Sequence, residues 1–140
     1  MVKRISLLAV LVGVLLAAAP AYAQVSGFVG TWNNVDPNTQ GIRTLTISAD
    51  GKTVSVTGPG MRNPVPAVVY GTAVDADPFS SAKTLFIQRT PDSILIIHLT
   101  KSGHLEIETL ARFTDGRQPY GKVDTLARQA SPVYPTDKRE

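Results

Sequence analysis

Residues 105–113 read Leu-Glu-Ile-Glu-Thr-Leu-Ala-Arg-Phe, and this stretch decides the fold. Leu105, Ile107, Thr109, Ala111 and Phe113 fall on one side, with Glu106, Glu108 and Arg112 on the other. Side chains of an extended strand alternate between two faces, so the pattern predicts a strand with one face on a core and one in water. The apolar set is expected to fill the interior, which turns Glu106 and Glu108 to solvent as a solubility feature and not as a catalytic dyad. No long stretch after residue 23 keeps the spacing of three and four that an amphipathic helix requires.

Working outward, Lys101-Ser102-Gly103 and Asp115-Gly116 bound this strand, and similar turn signals divide the rest of the chain. The first strand is expected over about 28–35, ending at Asp36-Pro37-Asn38, since proline lacks a ladder donor. A second covers about 42–48 and meets a third, about 52–57, across the hairpin signal Asp50-Gly51. After Gly58-Pro59-Gly60 and a loop to Pro64, a fourth runs over about 65–75 and stops at Asp77-Pro78. Leu85, Phe86 and Ile87 form the fifth. Ile94 to Leu99, apolar except for His98, forms the sixth, and its unbroken character predicts cover on both faces. The eighth spans about 120–128, with Val123 and Ala127 opposite Asp124, Leu126 and Arg128.

The fold class is therefore all-β: an eight-stranded antiparallel up-and-down meander. Short hairpin links and the need to hide strand edges favour closure into a small barrel, with a β-sandwich as the alternative.

The N-terminus has a different pattern. Lys3 and Arg4 precede an apolar run from Ile5 to Ala19, and Ala21-Tyr22-Ala23 supplies a small-x-small end. This order predicts an export signal over 1–23, cut at Ala23/Gln24. The run is shorter than the ~20 residues a membrane-spanning helix needs, so no span is expected after cleavage. Removing 23 residues from 140 leaves 117, enough for one core, so 24–128 is read as a single domain and 129–140 as a polar, disordered tail. The expected location is periplasmic or secreted.

Of the 14 basic residues, Lys3 and Arg4 leave with the signal, and against 11 acidic residues the formal charge falls from +3 to +1. The remaining basic residues are scattered, which sets nucleic acid aside as a partner. There is no cysteine, so an exported form depends on packing without disulfides.

Candidate chemistry is sparse. Asp36-Pro37-Asn38-Thr39-Gln40-Gly41 partly follows a calcium loop, but Gln40 and Ile47 stand where short-oxygen and bidentate carboxylate ligands belong, so it is read as a turn. Asp75 and Asp77 would share a strand face and are read as a solvated strand end. His98 and His104 lack the further ligands of a zinc site. No nucleophile elbow, phosphate loop or dinucleotide fingerprint occurs, so no cofactor, metal or enzymatic activity is expected.

Gly30-Thr31-Trp32 on the first strand and Arg128 on the last resemble the calycin superfamily of lipocalins and avidins, whose first strand carries Gly-x-Trp. The resemblance implies that Trp32 plugs one barrel end and that Arg128 packs over it. The run Gly30-Thr31-Trp32-x-Asn34 is also similar to the start of avidin-type chains, which implies a ligand-binding role for Asn34. That family's pocket uses several tryptophans and this chain has one, so the likeness does not extend to biotin. Trp32-x-Asn34-x-Asp36-Pro37-x-Thr39-x-Gly41-Ile42, with Arg112-Phe113-Thr114-Asp115, resembles small exported bacterial proteins of unassigned function.

The expected function is an exported barrel holding a small apolar or mixed ligand, with Tyr70, Phe86, His98 and Asn34 as ligand-binding candidates. The alternative is a solid barrel acting through its surface, as a protease inhibitor or an envelope interaction protein. A protein partner would then contact loops 58–64 and 76–83.

Overall fold

A computed structural model describes residues 23–75 and 77–130. The expected export signal therefore lies outside the described residues apart from Ala23, as does the expected tail from residue 131 onward. A short helical turn α1 (Ala23–Ser26) precedes β1 (Gly30–Asn34), β2 (Thr44–Asp50), β3 (Thr53–Thr57) and β4 (Val65–Gly71). β5 (Ala82–Thr90), β6 (Ser93–Leu99), β7 (Leu105–Ala111) and β8 (Tyr120–Arg128) follow. Each strand pairs antiparallel with the next, and β8 returns to β1 through Trp32 opposite Arg128, closing the barrel.

The two-residue alternation decides what goes inside. Leu45 and Ile47, Val54 and Val56, Leu85 and Ile87, Leu95 and Ile97, and Leu105 and Ile107 point inward and are at most 1% exposed. An eight-stranded barrel is just wide enough for such side chains to fill. Burying each large aliphatic contributes about 1.5–3 kcal/mol, and this filled lumen is the core of a protein without disulfides. Glu106 is exposed and Glu108 half-buried on the outer wall.

Three strand expectations are corrected. β4 stops at Gly71 and not at 75, because Asp77 gathers the chain into a turn. Its carbonyl accepts bonds from Ser80 Oγ and from the amide and hydroxyl of Ser81, and its carboxylate accepts the Phe79 amide. Asp75 and Asp77 thus sit beyond the strand. β5 is longer than the Leu85–Ile87 segment, running through Arg89 to Thr90. β6 is not covered on both faces: Leu95 and Ile97 are fully buried, whereas Ile94 and Ile96 are half-buried on the outer wall beside Leu110 and Phe86.

One barrel end is sealed. Trp32 and Phe28 are fully buried and Val25 is 1% exposed. The indole Nε1 donates to the Phe28 carbonyl at 2.9 Å. The Arg128 guanidinium lies 4.3 Å from the indole ring and donates to the carbonyls of Gly27 and Val29. Gly30 is required twice over. Its φ of +141° is rare for other residues, and a side chain there would meet Arg128 at 2.7 Å. The Gln129 amide donates to Thr31 at 2.8 Å, so the β8–β1 pairing runs one residue into the expected tail.

Candidate functional site

At the opposite end the chain makes its β1–β2, β3–β4, β5–β6 and β7–β8 connections, and the inward positions change character. The alternation that buries Leu85 and Ile87 next turns Arg89 inward. Thr109 follows Leu105 and Ile107, and Asp124, Lys122 and Tyr120 precede Leu126 on its face of β8. Polar side chains thus replace apolar ones over the last turn of the lumen.

Asp124 is the centre of this layer and is 5% exposed. Its Oδ1 accepts Asn34 Nδ2 at 3.0 Å and Thr39 Oγ1 at 3.1 Å, and its Oδ2 accepts the Ile42 amide at 3.2 Å. Lys122 Nζ lies 3.4 Å from Oδ1 and supplies the countercharge that a buried carboxylate needs. The Thr39 hydroxyl is saturated: it donates to Asp124 and accepts the Gly41 amide at 3.0 Å and Lys122 Nζ at 3.3 Å. Gly41 has no room for a side chain, since a Cβ would collide with the Asp124 carboxylate and with Lys122. Together these contacts latch residues 35–43 across the barrel end.

The motif positions found in sequence converge here. Asn34 donates to the Ile42 carbonyl at 2.8 Å as well as to Asp124, and its Oδ1 accepts the Asp36 amide at 2.8 Å. Both of its N–H groups are therefore used by the latch. Asp36 accepts the Asn38 amide at 2.9 Å and its carbonyl accepts the Thr39 amide at 3.2 Å, which makes the calcium-like segment a hydrogen-bonded turn. Among the described residues, no three His, Asp or Glu side chains converge on a metal position.

Beside the latch lies a cavity of about 340 Å³, bordered by Gln40, Pro59, Gly60, Arg89, Tyr120 and Lys122. Arg89 is half-buried, its Nε is fully buried, and among the described residues nothing accepts a hydrogen bond from its guanidinium. The guanidinium is held against Gly60, where a methyl group would come within 2.7 Å of Nη2. Loop 58–64 thus forms one wall of this mouth. Of the expected loop 76–83, the described residues 77–83 lie at the sealed end, where the Val25 amide donates to the Phe79 carbonyl, so the two loops do not form one surface.

Tyr70, Phe86 and His98 lie elsewhere. They are out of phase with the core-facing residues of β4, β5 and β6 and stand on the outer wall, not in the lumen where a cup would need them. Tyr70 is 53% exposed and meets Phe86 edge to face, with ring centroids 6.4 Å apart. His98 is exposed, with Nδ1 3.1 Å from Thr84 Oγ1, and His104 Nδ1 is 3.0 Å from Ser102 Oγ. The outer wall also carries Val68, Val123 and Leu110, which are 53%, 54% and 37% exposed. A larger depression of about 560 Å³ sits there over Gly121, between Ile94 and Leu110. Its charged residues Asp92 and Arg112 are open to water, so the half-buried guanidinium at the mouth, with its buried and unpartnered Nε, is the chemically more telling feature.

Sequence reasoning did not single out Arg89, Lys122 or Asp124 as site residues. A signal existed: Arg89 is in phase with Leu85 and Ile87, and Asp124 and Lys122 with Leu126. A charge that keeps step with core residues must be drawn into the barrel end. Comparison with known protein families, curated proteins and solved structures finds no match to this chain.

Proposed function

We propose that this is an exported, calycin-type barrel that binds a small molecule of mixed polarity at its latched end, and that it is a binding protein and not an enzyme. The carrying observation is the mouth: a cavity of about 340 Å³ with apolar Pro59 and Ile42, the aromatic Tyr120, and convergent polar groups above a filled core. Small-ligand sites combine apolar lining with a few placed polar groups in this way. The ligand rests on top of the core and not within a deep cup, because the lumen is occupied by side chains. The Gly30-x-Trp32 start and the stacking of Arg128 on Trp32 support the calycin-type reading.

The second reading, a barrel acting through its surface on a protein partner, draws on the outer wall of Val68, Tyr70, Phe86, Ile96, Leu110 and Val123. Exposed apolar side chains gathered on one wall are a feature of interaction sites.

The test is an amide chemical-shift map of the mature protein against a mixture of small acids, alcohols and amides. Perturbations at Gln40, Gly60, Thr109 and Tyr120 are expected. Perturbations restricted to Val68, Phe86 and Ile96 would replace the first reading with the second.

A further inference from the structure

We infer that the mouth is selective for an organic anion, a carboxylate carried on a small apolar body, and that Arg89 is the residue that anchors it. This rests on the mouth being the binding site and goes on to name the ligand class.

Charge balance carries the first step. Asp124 accepts from Asn34, Thr39 and the Ile42 amide and is paired with Lys122, so its charge is spent within the latch. Arg89 has no counterpart among the described residues, which leaves the mouth with one guanidinium in excess. A buried donor without a partner carries an uncompensated desolvation penalty, so a fold retains one only against that penalty. The Nη groups of Arg89 are not fully buried and have no partner among the described residues, so an acceptor supplied from outside meets the guanidinium there.

Shape carries the second. Guanidinium presents its donors in a planar fork that matches a carboxylate in two parallel bonds. Gly60 lets the loop backbone approach this fork closely, since a Cβ there would come within 2.7 Å of Nη2. Lys122 also borders the cavity, but its charge is balanced by Asp124, so the excess positive charge of the mouth is that of Arg89. Pro59, Ile42 and Tyr120 supply apolar surface for the remainder of the ligand, so a bare inorganic anion would leave most of the cavity unfilled.

The experiment is a titration of the mature protein at low ionic strength with hexanoate, with its neutral isostere hexanamide and with inorganic phosphate, followed by amide shifts and by the side-chain Nε resonance of Arg89. Hexanoate is expected to bind at the mouth at least about tenfold more tightly than hexanamide, the factor that one charge-assisted hydrogen bond supplies. Its binding should shift the Arg89 Nε signal and weaken as salt is raised. Arg89→Gln should bring hexanoate down to the affinity of hexanamide while the far-ultraviolet circular dichroism stays unchanged. Should that variant unfold, the Arg89 Nε shift in the unaltered protein decides by itself. Equal binding of hexanoate and hexanamide at the mouth would overturn the anion preference and leave the binding site standing. Phosphate binding as tight as hexanoate would overturn the organic part of the inference. No perturbation at the mouth by any of the three would overturn both this inference and the small-molecule reading beneath it.

Discussion

The two barrel ends each bring an arginine to the lumen, and they treat it in opposite ways. At the sealed end Arg128 lies across Trp32 and gives its protons to the carbonyls of Gly27 and Val29. At the latched end Arg89 is drawn inward by the same strand alternation, yet among the described residues it meets no acceptor. A guanidinium that closes a barrel must be satisfied by the chain itself, whereas one left with free donors is available to something else. The difference separates a stabilising end from an end with chemistry to offer, although both belong to one continuous sheet.

The comparison breaks most readily at the plug. Trp32→Ala removes the largest buried side chain of the sealed end together with the surface on which Arg128 stacks. A loss of about 3–5 kcal/mol is expected, measured by urea denaturation. A loss below about 1 kcal/mol would mean that the sealed end does not hold the barrel together.

The latch comes next. Asp124→Ala leaves Lys122, Asn34, Thr39 and the Ile42 amide without their common acceptor, and a loss of about 3 kcal/mol is expected. Hydrogen exchange should sharpen the contrast, with the Ile42 and Gly41 amides losing protection while Trp32 and Phe28 keep theirs. Uniform loss across both ends would show that the two ends do not behave as separate structures.

The smallest effect belongs to the β7–β8 connection, which takes no part in the latch. Asp115 is held below its ordinary pKa by the Arg117 side chain, whose Nε lies 2.9 Å from Oδ2, and then by the Arg117 amide. A carboxylate with a depressed folded-state pKa contributes stability above its unfolded pKa and loses it as pH falls through the folded value. Both partners are exposed to water, so Asp115→Asn should leave the stability at neutral pH unchanged within error. A carbon-detected titration should still find the Asp115 carboxyl shifted down. A measurable stability loss in this variant would contradict the treatment of this loop as uninvolved in holding either end.

Much of the barrel was legible in the sequence because alternation is a local property. Val54 with Val56, and Leu105 with Ile107, announce their inward face without reference to anything distant. β6 was harder, because Ile94 to Ile97 is apolar on both faces and gives no phase. There the barrel itself decides, by pairing Leu95 with Thr109 and Ile97 with Ile107 on the inside. The site was less legible still. Tyr70, Phe86 and His98 attract notice by residue type but have the outward phase. Asp124 and Arg89 look ordinary until the register brings them to one end. Asn34, Thr39 and Ile42 were noticed as a motif, but their common partner Asp124 is about eighty to ninety residues away in sequence, and only closure of β8 on β1 unites them.

The central claim is that Arg128 serves the fold and Arg89 does not. Its most direct test is the unfolding free energy of Arg128→Gln and of Arg89→Gln, measured side by side in urea. Arg128→Gln should lose about 1–2 kcal/mol, from two carbonyl hydrogen bonds and the stacking on Trp32. Arg89→Gln should be within about 0.5 kcal/mol of the unaltered protein or more stable, since it removes a buried donor that has no partner. Equal losses in the two variants, or a larger one for Arg89→Gln, would contradict the account and make the mouth guanidinium another structural part of the barrel.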